Sequence, residues 1–67
     1  MLSLTVNGEA RQLAEVRTCA DLIAVLGLAG KRLAVERNGE IVPRSSFGQS
    51  RLADGDRIEV VIAVGGG

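Results

Sequence analysis

Leu2 to Val6 alternates apolar and polar side chains (Leu2, Ser3, Leu4, Thr5, Val6), the period of a strand with one face buried. Asn7-Gly8 then offers the two positive-φ positions of a type I′ turn, so the pattern predicts an N-terminal hairpin. Its second arm is read from Ala10 to Val16, with Leu13 turned inward and Arg11, Glu15 and Arg17 at the wet edge. Thr18 followed three residues later by Asp21 predicts a capping box, with Asp in the place usually held by Glu. Leu22, Ile23, Val25 and Leu26 give the ensuing helix a broad apolar stripe, and Gly27 is a natural stop.

Leu33-Ala34-Val35, Asn38-Gly39 and Ile41-Val42-Pro43 repeat the hairpin grammar with the same turn chemistry, and Pro43 ends the short arm. Ser45-Ser46-Phe47 is read as one helical turn capped by a Ser hydroxyl. Asp54-Gly55-Asp56 marks a tight turn before a last strand from Arg57 to Val64. Period 2 puts Ile58, Val60, Ile62 and Val64 on the core face of that strand and Arg57, Glu59, Val61 and Ala63 on the other. Two hairpins, a helix between them and one long final strand bury their apolar faces together only if the helix lies across a mixed sheet. The expected fold class is therefore α+β, and the known small fold of this pattern is the ubiquitin-like β-grasp.

A chain of 67 residues has room for one core, so residues 1–67 are read as a single domain with 64–67 as a flexible tail. Phe47 is the one aromatic residue and there is one Cys, so stability rests on aliphatic packing, at the low end of the usual ~5 to 15 kcal/mol. Lys plus Arg equals Asp plus Glu at eight each, which argues against nucleic acid as a partner. The apolar stretches are far short of the ~20 residues that span a bilayer, so no membrane association is expected. The expected location is the cytoplasm, which an unpaired Cys also fits.

Catalysis needs groups that move protons, attack or hold a metal, and the chain has no His, no Tyr and one Cys. No enzymatic activity and no metal site are expected. Cys19 falls in the first helical turn, where the helix dipole would favour a thiolate, but a small buried core side chain is the preferred reading. Asp54 and Asp56 flank a turn glycine and are better explained by hydrogen bonds to backbone than by metal binding. The basic residues Lys31, Arg32, Arg37, Arg44, Arg51 and Arg57 are interspersed with acids, as on an ordinary solvated surface.

Gly65-Gly66-Gly67 is unlike the rest of the chain. Three residues without side chains can thread a narrow slot in extension and deliver a terminal carboxylate into another protein's active site. Ordering them costs roughly 3 to 6 kcal/mol at about 1 to 2 kcal/mol each, so the folded body must add docking surface.

Three blocks carry a family resemblance along nearly the whole chain. They are Leu4-Thr5-Val6-Asn7-Gly8-Glu9, the stretch from Leu33 through Asn38-Gly39 to Pro43-Arg44, and Asp54-Gly55-Asp56-Arg57-Ile58-Glu59-Val60-Val61 continuing through Ala63-Val64 to Gly67. On these residues the chain resembles the ThiS family of sulfur carriers of thiamine thiazole biosynthesis. The resemblance implies that an ATP-dependent adenylating enzyme, similar to ubiquitin-activating enzymes, activates the Gly67 carboxylate. Sulfur from a cysteine desulfurase relay would then make it a thiocarboxylate, which thiazole synthase would consume. No cofactor would be bound, since the activating partner uses the ATP.

Ala34, Val61 and Ala63 form the candidate docking patch, because proteins similar to this one meet partners through that sheet face. A sulfur-carrying small subunit of molybdopterin synthase would share fold and chemistry, but such subunits tend to carry Phe and Pro before Gly-Gly, where this chain has Ala63-Val64-Gly65. A ubiquitin-like protein modifier would join Gly67 to lysines of targets. A plain interaction module, as found in RNA-binding proteins, is disfavoured by the neutral charge.

Overall fold

The computed structural model describes residues 1–63. Strands β1 (Leu2–Val6) and β2 (Glu9–Leu13) form the first hairpin, with Asn7 at φ 49° and Gly8 at φ 83° in the turn. Helix α1 (Cys19–Val25) follows, then the hairpin of β3 (Leu33–Arg37) and β4 (Glu40–Val42), where Asn38 at φ 53° and Gly39 at φ 88° repeat the turn. A short 3₁₀ turn (Arg44–Ser46) and β5 (Arg57–Ile62) complete the order.

The five strands form one mixed sheet in the order β2-β1-β5-β3-β4, with β5 parallel to β1 and antiparallel to β3. The last strand in sequence is thus the central strand in space. One face of the sheet and α1 enclose a core that includes Leu4, Val6, Leu22, Ile23, Val35, Ile58 and Val60. This is the two-layer α+β arrangement expected from the sequence pattern.

The helix is short because its ends are specified closely. Thr18 Oγ1 accepts from Asp21 N at 3.2 Å, and the Asp21 carboxylate accepts from Thr18 N at 3.1 Å and Arg17 N at 3.0 Å. These two backbone donors hold the exposed Asp21 carboxyl below the usual carboxylate range. Leu26 closes the helix, and Gly27 follows at φ 75°. The segment before the 53–56 turn is stitched to the helix start by Cys19 N to Ser50 O at 2.9 Å and Leu52 N to Arg17 O at 2.8 Å.

Four sequence expectations are corrected. The second arm ends at Leu13, because Glu15 takes φ 61° and turns the chain so that Val16 enters the core from a loop. Val25 is 55% exposed: at 100° per residue it lies off the arc shared by Cys19, Leu22, Ile23 and Leu26. No Ser hydroxyl caps the 3₁₀ turn, whose N-cap is Pro43 and which is closed by Ser46 N donating to Pro43 O at 2.8 Å. Ile62 keeps its inward parity yet is 42% exposed, because α1 stops at Val25 and covers only part of the sheet.

Among the described residues, no helix is long and apolar enough to cross a membrane. The expected tail and the end of the last strand, Val64 to Gly67, lie outside the described residues.

Candidate functional site

Three side chains fix the position of β5. Asn7 Oδ1 accepts from Val60 N at 2.7 Å, and Asn7 Nδ2 donates to Val60 O at 3.2 Å. Asn38 Oδ1 accepts from Arg57 N at 2.8 Å, while its Nδ2 donates to Asp56 Oδ1 at 3.0 Å. Both turn asparagines therefore hold the same strand, one at its start and one near its middle.

Asp56 is the anchor beneath that strand. It is only 6% exposed, and its carboxylate accepts from Arg37 Nε at 2.7 Å and from Ala53 N at 2.8 Å as well as from Asn38. Burial pushes the carboxyl up, but the hydrogen bonds from Ala53, Asn38 and Arg37, with the guanidinium charge, outweigh it and leave it below its ordinary range. Asp54 acts likewise on backbone, accepting from Ser3 N at 2.8 Å. The reading of the pair as turn residues holds.

The outer face of the sheet, opposite α1, presents the candidate docking residues side by side. Ala34 on β3 is the register partner of Val61 on β5, and Val61 is 64% exposed. Ala63 N donates to Arg32 O at 2.9 Å, which carries the β3–β5 ladder one step past the end of β5. Ala34, Val61 and Ala63 thus share one exposed stretch that ends at the last described residue.

Ile41 is an apolar neighbour of this stretch that the sequence reading did not include. It pairs with Glu36 across β3–β4, and Glu36 lies two residues from Ala34 on the same face. Ile41 is 64% exposed. The available signal was alternation, since Val42 is half-buried against the core and its neighbour must point outward.

Cys19 is fully buried, and burial raises its thiol pKa against a smaller opposing effect of the Arg37 charge. The helix dipole does not produce a reactive thiolate there. Among the described residues, no three His, Cys, Asp or Glu side chains gather as a metal site.

Residues 4–67 match the ThiS family, a span that runs through the three C-terminal glycines. The chain belongs to the ThiS family. A sulfur carrier protein ThiS from Bacillus subtilis is 38% identical over 65 residues, covering 96% of this chain and 98% of that protein. A crystal structure of thiamine biosynthesis protein ThiS from Geobacter metallireducens superposes with a TM-score of 0.81 at 32% identity, covering 98% of this chain and 100% of that one. The ubiquitin-like β-grasp fold follows from that likeness and from the mixed five-stranded sheet with one helix.

A thiazole synthase from Paramagnetospirillum magneticum is 44% identical over 66 residues, covering 98% of this chain. The chain spans only 20% of that enzyme's length, so a ThiS-like sequence forms a small part of a larger protein there. In the present ThiS-family chain the residues expected to carry the chemistry, Gly65, Gly66 and Gly67, lie outside the described residues. What the fold fixes is β5, the strand that precedes them in sequence, clamped by Asn7, Asn38 and, through Asn38, Asp56.

Proposed function

We propose that this chain is a non-enzymatic, cytoplasmic sulfur carrier of thiamine biosynthesis that works through the carboxylate of Gly67. The observation that carries the reading is the family match over residues 4–67, which includes the glycine terminus as well as the folded body.

A carboxylate with a pKa of about 3.5 is ionised at neutral pH and resists nucleophiles. In the proposed cycle a carboxylate oxygen of Gly67 attacks the α-phosphorus of ATP in the activating enzyme, and pyrophosphate leaves. A persulfide of the cysteine desulfurase relay then attacks the carbonyl carbon and AMP leaves, giving an acyl disulfide; a second thiol attacks the donor sulfur of that S–S bond, so the donor leaves as a disulfide with that thiol and the two electrons stay on the Gly67 thiocarboxylate. Thiazole synthase takes that sulfur into the thiazole ring. ATP is consumed by the partner, and the carrier itself holds no cofactor.

The folded body contributes docking and delivery. Ala34, Val61 and Ala63 offer an apolar contact on the outer sheet face, beside the strand that leads to Gly65, Gly66 and Gly67. Gly66 and Gly67 have no Cβ, so nucleotide and sulfur donor can approach the carbonyl carbon from either side. The carrier supplies no catalytic side chain: the chain has no His, and its one thiol is buried.

Gly67→Ala tests the assignment. The variant is expected to fold normally and to slow ATP–pyrophosphate exchange by the activating enzyme by about tenfold or more, through steric loss at the reacting carbon. Exchange at the wild-type rate would count against Gly67 as the reacting residue.

A further inference from the structure

Both hairpin turns place an asparagine directly before a glycine, Asn7-Gly8 and Asn38-Gly39, and all four residues are exposed. Such a pair is open to internal attack, because glycine has no Cβ to keep its nitrogen from the preceding carboxamide. The glycine nitrogen bonds to Cγ of the asparagine, the side-chain nitrogen leaves as ammonia with the proton lost from the glycine N–H, and a five-membered succinimide remains. Water then opens the ring. Cleavage on the side-chain carbonyl side gives aspartate, and cleavage on the main-chain side gives isoaspartate. In sum, one amide and one water become one carboxylate and one ammonium ion.

The two pairs are held differently. Each carboxamide oxygen accepts from a backbone N–H of β5, Val60 N at 2.7 Å for Asn7 and Arg57 N at 2.8 Å for Asn38. Asn7 Nδ2 donates to a neutral acceptor, Val60 O at 3.2 Å. Asn38 Nδ2 donates instead to a carboxylate oxygen, Asp56 Oδ1 at 3.0 Å, on a residue that is 6% exposed. Oδ2 of that carboxylate takes Arg37 Nε at 2.7 Å and Ala53 N at 2.8 Å, so the Oδ1 side is served by Asn38.

We propose that Asn38 is a self-modification site, whose conversion to aspartate by attack of the Gly39 nitrogen unlocks the start of β5. A carboxylate oxygen then stands where Nδ2 stood, facing Asp56 Oδ1 with no proton between them. Two like charges at that separation in a nearly buried site must share a proton or move apart. Moving apart releases Arg57 N and the turn that Asp56 holds. The isoaspartate product adds a carbon to the main chain and breaks the geometry of the two-residue turn itself. At Asn7 the same conversion loses one bond to a neutral carbonyl, which makes that pair an internal comparison.

The bonds that make the change damaging also guard against it. Cγ of Asn38 cannot turn toward Gly39 N while Oδ1 and Nδ2 are both held, so the reaction passes through opening of the turn from β5. The full chain is to be kept in mildly alkaline buffer, native and in guanidinium chloride, with peptide mapping by mass to follow the conversion at each pair. Conversion at Asn38 is expected to be slower in the native chain by on the order of a hundredfold, the weight of its two hydrogen bonds. Equal rates at Asn38 in the two conditions would overturn the guarded site.

Asn38→Asp supplies the aspartate product outright. Its melting temperature near neutral pH should fall by roughly 10 °C, and by more than that of Asn7→Asp. The repelling pair raises a folded carboxyl pKa above the unfolded value of about 3.9, so the penalty is full above the raised pKa and fades as pH falls through it. The exchanged chain, Asn38→Asp with Asp56→Asn, separates charge repulsion from any change in turn preference. There the amide at position 56 can offer its oxygen to Arg37 and Ala53 and its nitrogen to the new carboxylate, and most of the lost melting temperature should return. An Asn38→Asp chain as stable as the wild type at neutral pH would overturn the proposal, as would an exchanged chain no more stable than Asn38→Asp alone.

Discussion

Asn7 pairs with Val60 as though its side chain were one more peptide unit of β1, accepting from Val60 N at 2.7 Å and donating to Val60 O at 3.2 Å. The parallel backbone ladder between β1 and β5 reaches its last bond just before, from Asn7 N to Ile58 O at 2.9 Å. A carboxamide carries the same donor and acceptor as a peptide group, so one side chain extends the hold on β5 two residues further toward the C terminus.

Asn7→Gly separates the clamp from the turn. Glycine accepts the positive φ of this position at no steric cost, so the hairpin keeps its geometry while both hydrogen bonds to Val60 are lost. The expected cost is about 1 to 3 kcal/mol in urea denaturation. Amide exchange at Val60 should accelerate by more than the global loss explains, and unchanged exchange at Val60 would contradict the clamp.

The Asp56 network sets an acid limit on stability. Its folded pKa lies below the unfolded value of about 3.9, so its contribution is complete above that pH and is lost as pH falls through the folded pKa. Asp56→Asn should cost about 1.5 to 3 kcal/mol near neutral pH, since an amide presents a donor where three donors already converge. The same variant should show a shallower loss of stability below pH of about 4. Denaturation curves across that range check both the depth and the slope.

Most of the architecture could be read from the chain, and particular residues show why. Asn7-Gly8 and Asn38-Gly39 announce their hairpins because type I′ turns need positive φ at two successive positions, and few residues accept it. The Thr18 and Asp21 capping box is equally local. What sequence reading misses depends on distance across the fold: that Asn7 reaches Val60, that Asn38 reaches Arg57, and that Glu36 faces Glu59. These relations join β5 to strands far from it in the chain, where no hairpin turn fixes the register. The exposure of Ile62 is of the same kind, since it depends on where the helix stops over the sheet.

Cys19 supplies a probe of the core. Its sulfur is buried at the start of α1 and its pKa is raised by burial, so a thiol reagent should modify it only through opening of the fold. Modification in the native state should be slower than in urea by on the order of a hundredfold or more. Comparable rates in the two conditions would show that the helix start is not held shut.

Leu22 is fully buried at the centre of α1's inward face. Leu22→Ala should cost about 2 to 5 kcal/mol through lost contacts and the cavity left behind. Against a total at the low end of ~5 to 15 kcal/mol, much of the variant should be unfolded at 37 °C by circular dichroism.

The carrier assignment itself is most directly tested by the intact mass of the untagged chain after incubation with its source's activating enzyme, ATP and a cysteine desulfurase relay, with fragmentation to locate any change. The account predicts replacement of one oxygen by sulfur, confined to Gly67 and absent when ATP is omitted. An unmodified Gly67 in the presence of partners shown to be active would contradict it.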